Sequence, residues 1–309
     1  MRRVAAAEQA AQEEAEQALA GGATVSVCAT GSPDYDASFD NGIVSHEFGH
    51  GISTRLTGGP SNSNCLTTTD GNQAFQTMGE GWSDFFGLWM TTGNVATASN
   101  PTGVTGRTPR YIGAYVVGEA AATGPGIRIN PYTDDMIQND HTYAIVGTAQ
   151  YNETHNIGEV WAAMLWDLNW QFIYRYGFNE DFLAQNGGNN QFLKLVLDGC
   201  KLQVCNPGFL DGRDAILRAD SIANGGANSA LIWTVFSRRG AGFSAAQGVR
   251  TNGNPTRNGI REAFDMPPGV TPAPMLNPTT VTIVTTPLAT TPQQLAAKGS
   301  IVDAYPNPA

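Results

Sequence analysis

IVSHEFGHGISTRL, residues 43–56, decides how this chain is read. Its apolar residues recur at helical spacing, which predicts a helix from Ile43 to about Leu56. Inside it lies HEFGH, residues 46–50. Residues i and i+4 share a helical face, so His46 and His50 can turn ring nitrogens toward one ion while Glu47 projects beside it. That is the arrangement of a zinc-dependent hydrolase. Catalytic zinc takes three protein ligands and keeps a fourth position for water or substrate, so another ligand has to come from elsewhere in the chain. The candidate is Glu80, thirty residues after His50 in MGEGWSD, at the start of a second helix beginning near Met78. Asp84 follows on the same face, placed to accept the outer N–H of a zinc-bound imidazole and fix its tautomer. Read alone, Glu80 is equally an acid at a helix N-terminus favoured by the macrodipole. HEFGH upstream makes it a candidate ligand.

Composition sets the outer limits. The 309 residues are enough for a large domain with a real hydrophobic core, and four Cys are too few to be its framework. With 41% hydrophobic and 14% charged residues, 36 Gly and 17 Pro, the chain reads as globular and loop-rich. A net charge of −10 argues against the basic footprint that nucleic-acid binding needs. The sequence contains no run of about 18 uninterrupted apolar residues, the length needed to span a membrane. The opening MRRVAAAEQAAQEEAEQALAGG is charged where a signal peptide needs its apolar core.

Around the HEFGH helix the chain divides as follows. Residues 1–24 read as a polar helix, stopped by Gly21-Gly22, whose mostly Ala face has little to bury. Asp34, Asp36 and Asp40 read as a solvated turn before the first helix rather than a calcium loop. The second helix carries Trp82, Phe85, Phe86 and Trp89. RYIGAYVVG, ATGPG and IRINPY, between 110 and 132, read as a β-hairpin. Beyond His155, Ile157, Val160, Trp161, Met164, Leu165 and Leu168 form one apolar stripe, and Trp161, Trp166 and Trp170 read as core. Further helices are expected near 189–202, 209–224 and 229–239. The folded unit is expected over 25–266, followed by a Pro/Thr-rich extended linker over 267–300 and a separate segment at 301–309.

HEFGHGISTRLTGGPSNSNCL followed by MGEGWSDFF resembles the zinc site of the fungalysin family of thermolysin-like metallopeptidases. HNIGEVWAAMLWDLNW, LVLDGCKLQVCNPGFLDGRDAILRAD and GGANSALIWTVFSRRGAG are similar in order and spacing to that family's later helices, so the resemblance covers roughly residues 33–245. It implies a mainly α fold, the helical zinc-binding lobe of a thermolysin-like zincin with a small β-hairpin. It implies Zn2+ held by His46, His50 and Glu80, Glu47 as the catalytic carboxylate, and protein or peptide substrates. It also points to His155 as donor to the oxyanion, although a lone His is equally a cap or a partly buried polar residue. Tyr143 is a weaker candidate for the same oxyanion and equally a packed aromatic.

In this family a β-rich lobe precedes the zinc helix and an inhibitory propeptide is expected; neither is recognisable here, so the chain reads as a piece of a longer zymogen. DAYPNPA at the end resembles the opening of a type nine secretion sorting domain. With the family resemblance, this implies an extracellular enzyme. Cys200 and Cys205 are close enough for a local disulfide, Cys65 and Cys205 sit where the family also tends to have Cys, and Cys28 completes a set with three full pairings. Two functions follow: a zinc endopeptidase using Glu47 as general base, or a catalytically silent zinc-binding fragment without a complete cleft. Structural zinc sites are normally closed by four protein ligands, and the three seen here favour chemistry.

Overall fold

The computed structural model describes residues 35–66, 75–119, 124–251 and 254–285. The polar helix expected at 1–24, Cys28, Asp34 and the segment 301–309 lie outside the described residues. The fold is mainly helical, with six α-helices, α1 (Asn41–Leu56), α2 (Gly79–Met90), α3 (Thr154–Tyr176), α4 (Gly188–Leu202), α5 (Phe209–Asn224) and α6 (Ser229–Arg238), among the described residues. The later helices thus fall where the periodicity puts them. Four two-residue strands follow: β1 (Ala246–Gln247) pairs antiparallel with β4 (Ile260–Arg261), and β2 (Arg250–Thr251) with β3 (Asn254–Pro255) as a small hairpin.

The Asp-rich turn works as a pair of caps. Asp36 accepts from the N–H of Ser38, and Asp40 caps α1 by accepting from Gly42 at 2.9 Å and Ile43 at 3.3 Å. α1 then packs closely on α2, because Gly49 faces the α2 backbone and a Cβ there would stand only 3.0 Å from Ser83 Cα.

α3 is the hub. Every residue from Ile157 to Ile173 is buried, as expected for a helix that is packed on all sides. On one side Trp161 meets Trp82, Phe209 and Phe236 in the larger core. On the other, Trp166, Trp170 and Ile173 pack with Ile43, Leu88, Ile112 and Tyr132. Asp167 accepts two bonds from the buried Arg239, at 2.8 and 3.0 Å, which joins α3 to the end of α6.

The hairpin expected at 110–132 takes the form of antiparallel pairing without named strands. Arg110 and Tyr132 exchange both backbone bonds at 3.0 and 2.8 Å, and Ile127 donates to Ile112 at 2.9 Å. Gly113 and Gly126, at φ 72° and 67°, turn the backbone out of the extended region and interrupt a longer ladder.

Of the extended linker expected over 267–300, residues 286–300 lie outside the described residues; 267–285 is extended and hydrogen-bonded to the body. Gln171 exchanges two bonds with the backbone of Leu276, and Ala273 donates to Thr234. Val281 and Val284 donate to the carbonyls of Ala96 and Phe178, and Val281 joins the core. The cystine is Cys65–Cys205, tying the chain after α1 to the turn before α5. The local alternative Cys200–Cys205 is not formed, because α4 turns the Cys200 thiol into the core.

Asp134 lies beside Asp167, and burial together with that neighbouring charge pushes its carboxyl up to about 6. Unfolded, the same group ionises near 3.9. Between those values the folded chain holds more protons than the unfolded one, so this contribution is complete below about pH 3.9 and is lost as pH rises through about 6. Asp134→Asn is therefore expected to match wild type near pH 4 and gain on the order of 2 kcal/mol relative to it by pH 7. Urea unfolding midpoints of the two proteins across that range check this, and a constant difference would refute it.

Candidate metal centre and active site

α1 carries His46 and His50 one turn apart, and their Nε2 atoms stand 3.1 Å from each other. Glu80, in the first turn of α2, brings Oε2 to 3.1 Å from His46 Nε2 and 3.4 Å from His50 Nε2. Among the described residues this is the one trio of His, Cys, Asp or Glu whose ligand atoms gather within 4.8 Å. Tetrahedral zinc with bonds of about 2.0–2.1 Å separates its ligand atoms by about 3.3 Å, so the triangle fits such an ion.

The electrostatics point the same way. Burial opposes a charge on His46, but hydrogen bonds and charges from Asp84 and Glu80 outweigh it and raise the imidazole to about 10. Burial likewise opposes charge on Glu80, yet His46, His50 and His155 hold that carboxyl well below its ordinary range. Two imidazole lone pairs and a carboxylate facing one point favour a positive charge there.

His46 Nδ1 lies 2.7 Å from Asp84 Oδ1. With the N–H donated to Asp84, the Nε2 lone pair is left for the triangle. Asp84 is itself gripped by Arg128, whose Nε donates to Oδ2 at 2.8 Å and whose second guanidinium nitrogen donates to Oδ1 at 2.9 Å. Tyr132 donates its hydroxyl to Oδ2 as well. Burial alone would raise the Asp84 carboxyl; the Arg128 charge and the His46 bond instead hold it far below the usual range.

The second half of the site is set by a helix crossing. Gly81 on α2 meets Gly158 on α3 so closely that a Cβ on Gly158 would stand 2.6 Å from Glu80 Cβ. This approach carries the first turn of α3 to the triangle, and His155 Nε2 lies 3.6 Å from Glu80 Oε2. Glu153 caps α3 through the N–H groups of His155 and Asn156, and its Oε2 also sits 2.7 Å from His155 Nδ1. The ring is thereby oriented with Nε2 toward the centre. Glu47 is half-buried on α1 between the two His.

The chain thus brings together His46, His50, Glu80, Asp84 and His155. Tyr143 is elsewhere: its ring stacks on Phe209 and its hydroxyl donates to Gln76 at 2.7 Å within the core. Sequence reasoning missed Arg128, Tyr132 and Glu153. Only Glu153 had a local signal, an acid at a helix start two residues before the candidate His.

Residues 9–245 match the family model described as fungalysin metallopeptidase. Among curated proteins, the chain is 39% identical over 249 residues to an extracellular metalloproteinase of Pyrenophora tritici-repentis, covering 77% of this chain and 34% of that protein. It is 40% identical over 222 residues to an extracellular metalloproteinase of Pyricularia oryzae, covering 69% and 32%. With one from Neosartorya fischeri it shares 42% identity over 227 residues, covering 71% and 33%. The chain therefore spans about a third of the length of the curated relatives it matches.

The Gly81–Gly158 crossing has no room for a side chain. Gly158→Ala is expected to cost about 1–3 kcal/mol by overpacking and to weaken metal retention by separating Glu80 from the α1 pair. Urea unfolding and chelator competition measure the two effects, and unchanged values in both would show that the crossing does not set the site.

Proposed function

The chain belongs to the fungalysin metallopeptidase family, and from that premise we propose that it is a zinc-dependent endopeptidase acting on protein or peptide substrates outside the cell. The observation that carries this reading is the convergence of His46 Nε2, His50 Nε2 and Glu80 Oε2 at 3.1, 3.1 and 3.4 Å. When bound by these residues, zinc supplies Lewis acidity toward a carbonyl oxygen and toward a water.

Glu47 takes a proton from the water that attacks the peptide carbonyl and returns it to the departing amine. Oxyanion charge that develops on the carbonyl oxygen is met by a hydrogen bond from His155 Nε2, and Glu153 at Nδ1 supports the protonated ring that this requires. Asp84 keeps His46 in the tautomer that presents Nε2. The extracellular setting is supported by the relatives' names and by the Cys65–Cys205 cystine, which persists where the medium is oxidising.

A quenched-peptide or casein assay with and without chelator tests the reading. Cleavage that disappears with chelator and returns with zinc is the expected result; zinc bound without cleavage would favour the metal-binding fragment. Glu47→Gln is expected to keep its metal and lose about 10²- to 10⁴-fold in hydrolysis. Retention of more than about a tenth of the wild-type rate would remove Glu47 from this role. Glu80→Ala is expected to lose zinc on dialysis, and full occupancy would mean that another residue is the third ligand.

A further inference from the structure

Behind the Asp84 clamp lies a buried carboxyl group that the proposed chemistry does not use. Glu159 sits on α3 one turn beyond His155 and is fully buried. Its Oε2 accepts from the backbone N–H of Ile129 and its Oε1 from that of Asn130, both at 2.8 Å. On its other flank Oε1 lies 3.4 Å from His141 Nε2, which also meets the Tyr151 hydroxyl at 2.6 Å and Asn130 Nδ2 at 3.0 Å.

An acid is an expensive choice for this position. α3 is buried all round here, and an apolar residue would satisfy its packing. Burial pushes the carboxyl up to about 8, in spite of the two N–H bonds and the Arg128 charge that favour the anion. What the carboxyl gains is the segment 128–132. Ile129 and Asn130 directly follow Arg128, and Arg128 and Tyr132, at the two ends of that segment, both bond to Asp84.

We propose that Glu159 is a positioning residue that pins the 128–130 backbone, so that Arg128 holds Asp84 and Asp84 holds His46 in its metal-binding orientation. The same side chain links that clamp to the helix bearing His155, so the metal ligand and the oxyanion donor are held to one rigid support. This inference rests on the metal centre proposed above and extends it to a residue without contact to metal or substrate.

The test measures the zinc dissociation constant by chelator competition in the full chain. Glu159→Gln keeps the shape but offers an amide N–H where one backbone N–H needs an acceptor. It is expected to weaken zinc binding about 10- to 100-fold, the range typical of groups that orient a ligand from behind. Glu159→Asp, which keeps the carboxyl, is expected to lose less and serves as the second variant should the Gln chain not fold. Ile216→Ala, which opens a cavity in the α5 core and lowers metal-free stability, is expected to bind zinc as wild type does. In an Arg128→Lys background the further effect of Glu159→Gln is expected to fall below threefold, because the same path is already loosened. Zinc affinity within twofold of wild type in both Glu159 variants, or an equal loss with and without Arg128, would overturn the proposal. Failure of wild type to bind zinc would overturn the metal reading, and this inference with it.

Discussion

Two imidazole nitrogens and a carboxylate oxygen crowded within 3.4 Å are a concentration of lone pairs that a protein interior opposes unless positive charge sits among them. The rest of the fold is organised by that constraint. α1 supplies two donors because its pitch repeats at four residues. α2 supplies the third because Gly49 lets the two helices approach, and α3 reaches the same point through Gly158. Small residues at the crossings set the distances on which the donors depend.

Buried charge is the second theme. Asp84 with Arg128 and Glu159 with two backbone amides each join a helix to an irregular segment, and Asp167 with Arg239 joins α3 to the end of α6. Such groups cost desolvation and give directional bonds in return. The apolar contacts of α3 with Trp82, Phe209 and Phe236 hold the layers together. The polar contacts add direction, and those of Asp84 with Arg128 and Tyr132 stand directly behind His46.

These two kinds of constraint differ in how far the sequence reveals them. HEFGH was legible because its geometry is local to one helix, and Glu80 with Asp84 followed once that helix was identified. The six helices were legible from their apolar periodicity. His155 needed the family resemblance, since one His before a helix has no distinctive local pattern. Arg128 was invisible: it reaches Asp84 across 44 residues from a segment without period. The ladder at 110–132 was anticipated, but its interruption depends on which glycines take positive φ. Composition identified 267–285 as Pro- and Thr-rich and extended, yet carried no trace of the bonds to Gln171, Ala96 and Phe178 that fasten it. Cysteine spacing left several pairings open; the fold brings Cys65 and Cys205 together, and burial of Cys200 in α4 rules out the local Cys200–Cys205 bridge.

The Cys65–Cys205 cystine carries a consequence for biosynthesis. Its two halves are 140 residues apart, so Cys65 emerges from the ribosome well before its partner has been translated. At elongation speeds of about 5–20 residues per second, that interval lasts roughly 7 to 30 s. Throughout it Cys28 is already available, and Cys200 arrives just ahead of Cys205. Among the cysteines of this sequence, Cys205 is synthesised last, so the bridge closes only if Cys65 is still unpaired then or is freed by thiol exchange, while α4 buries the competing Cys200 sulfur.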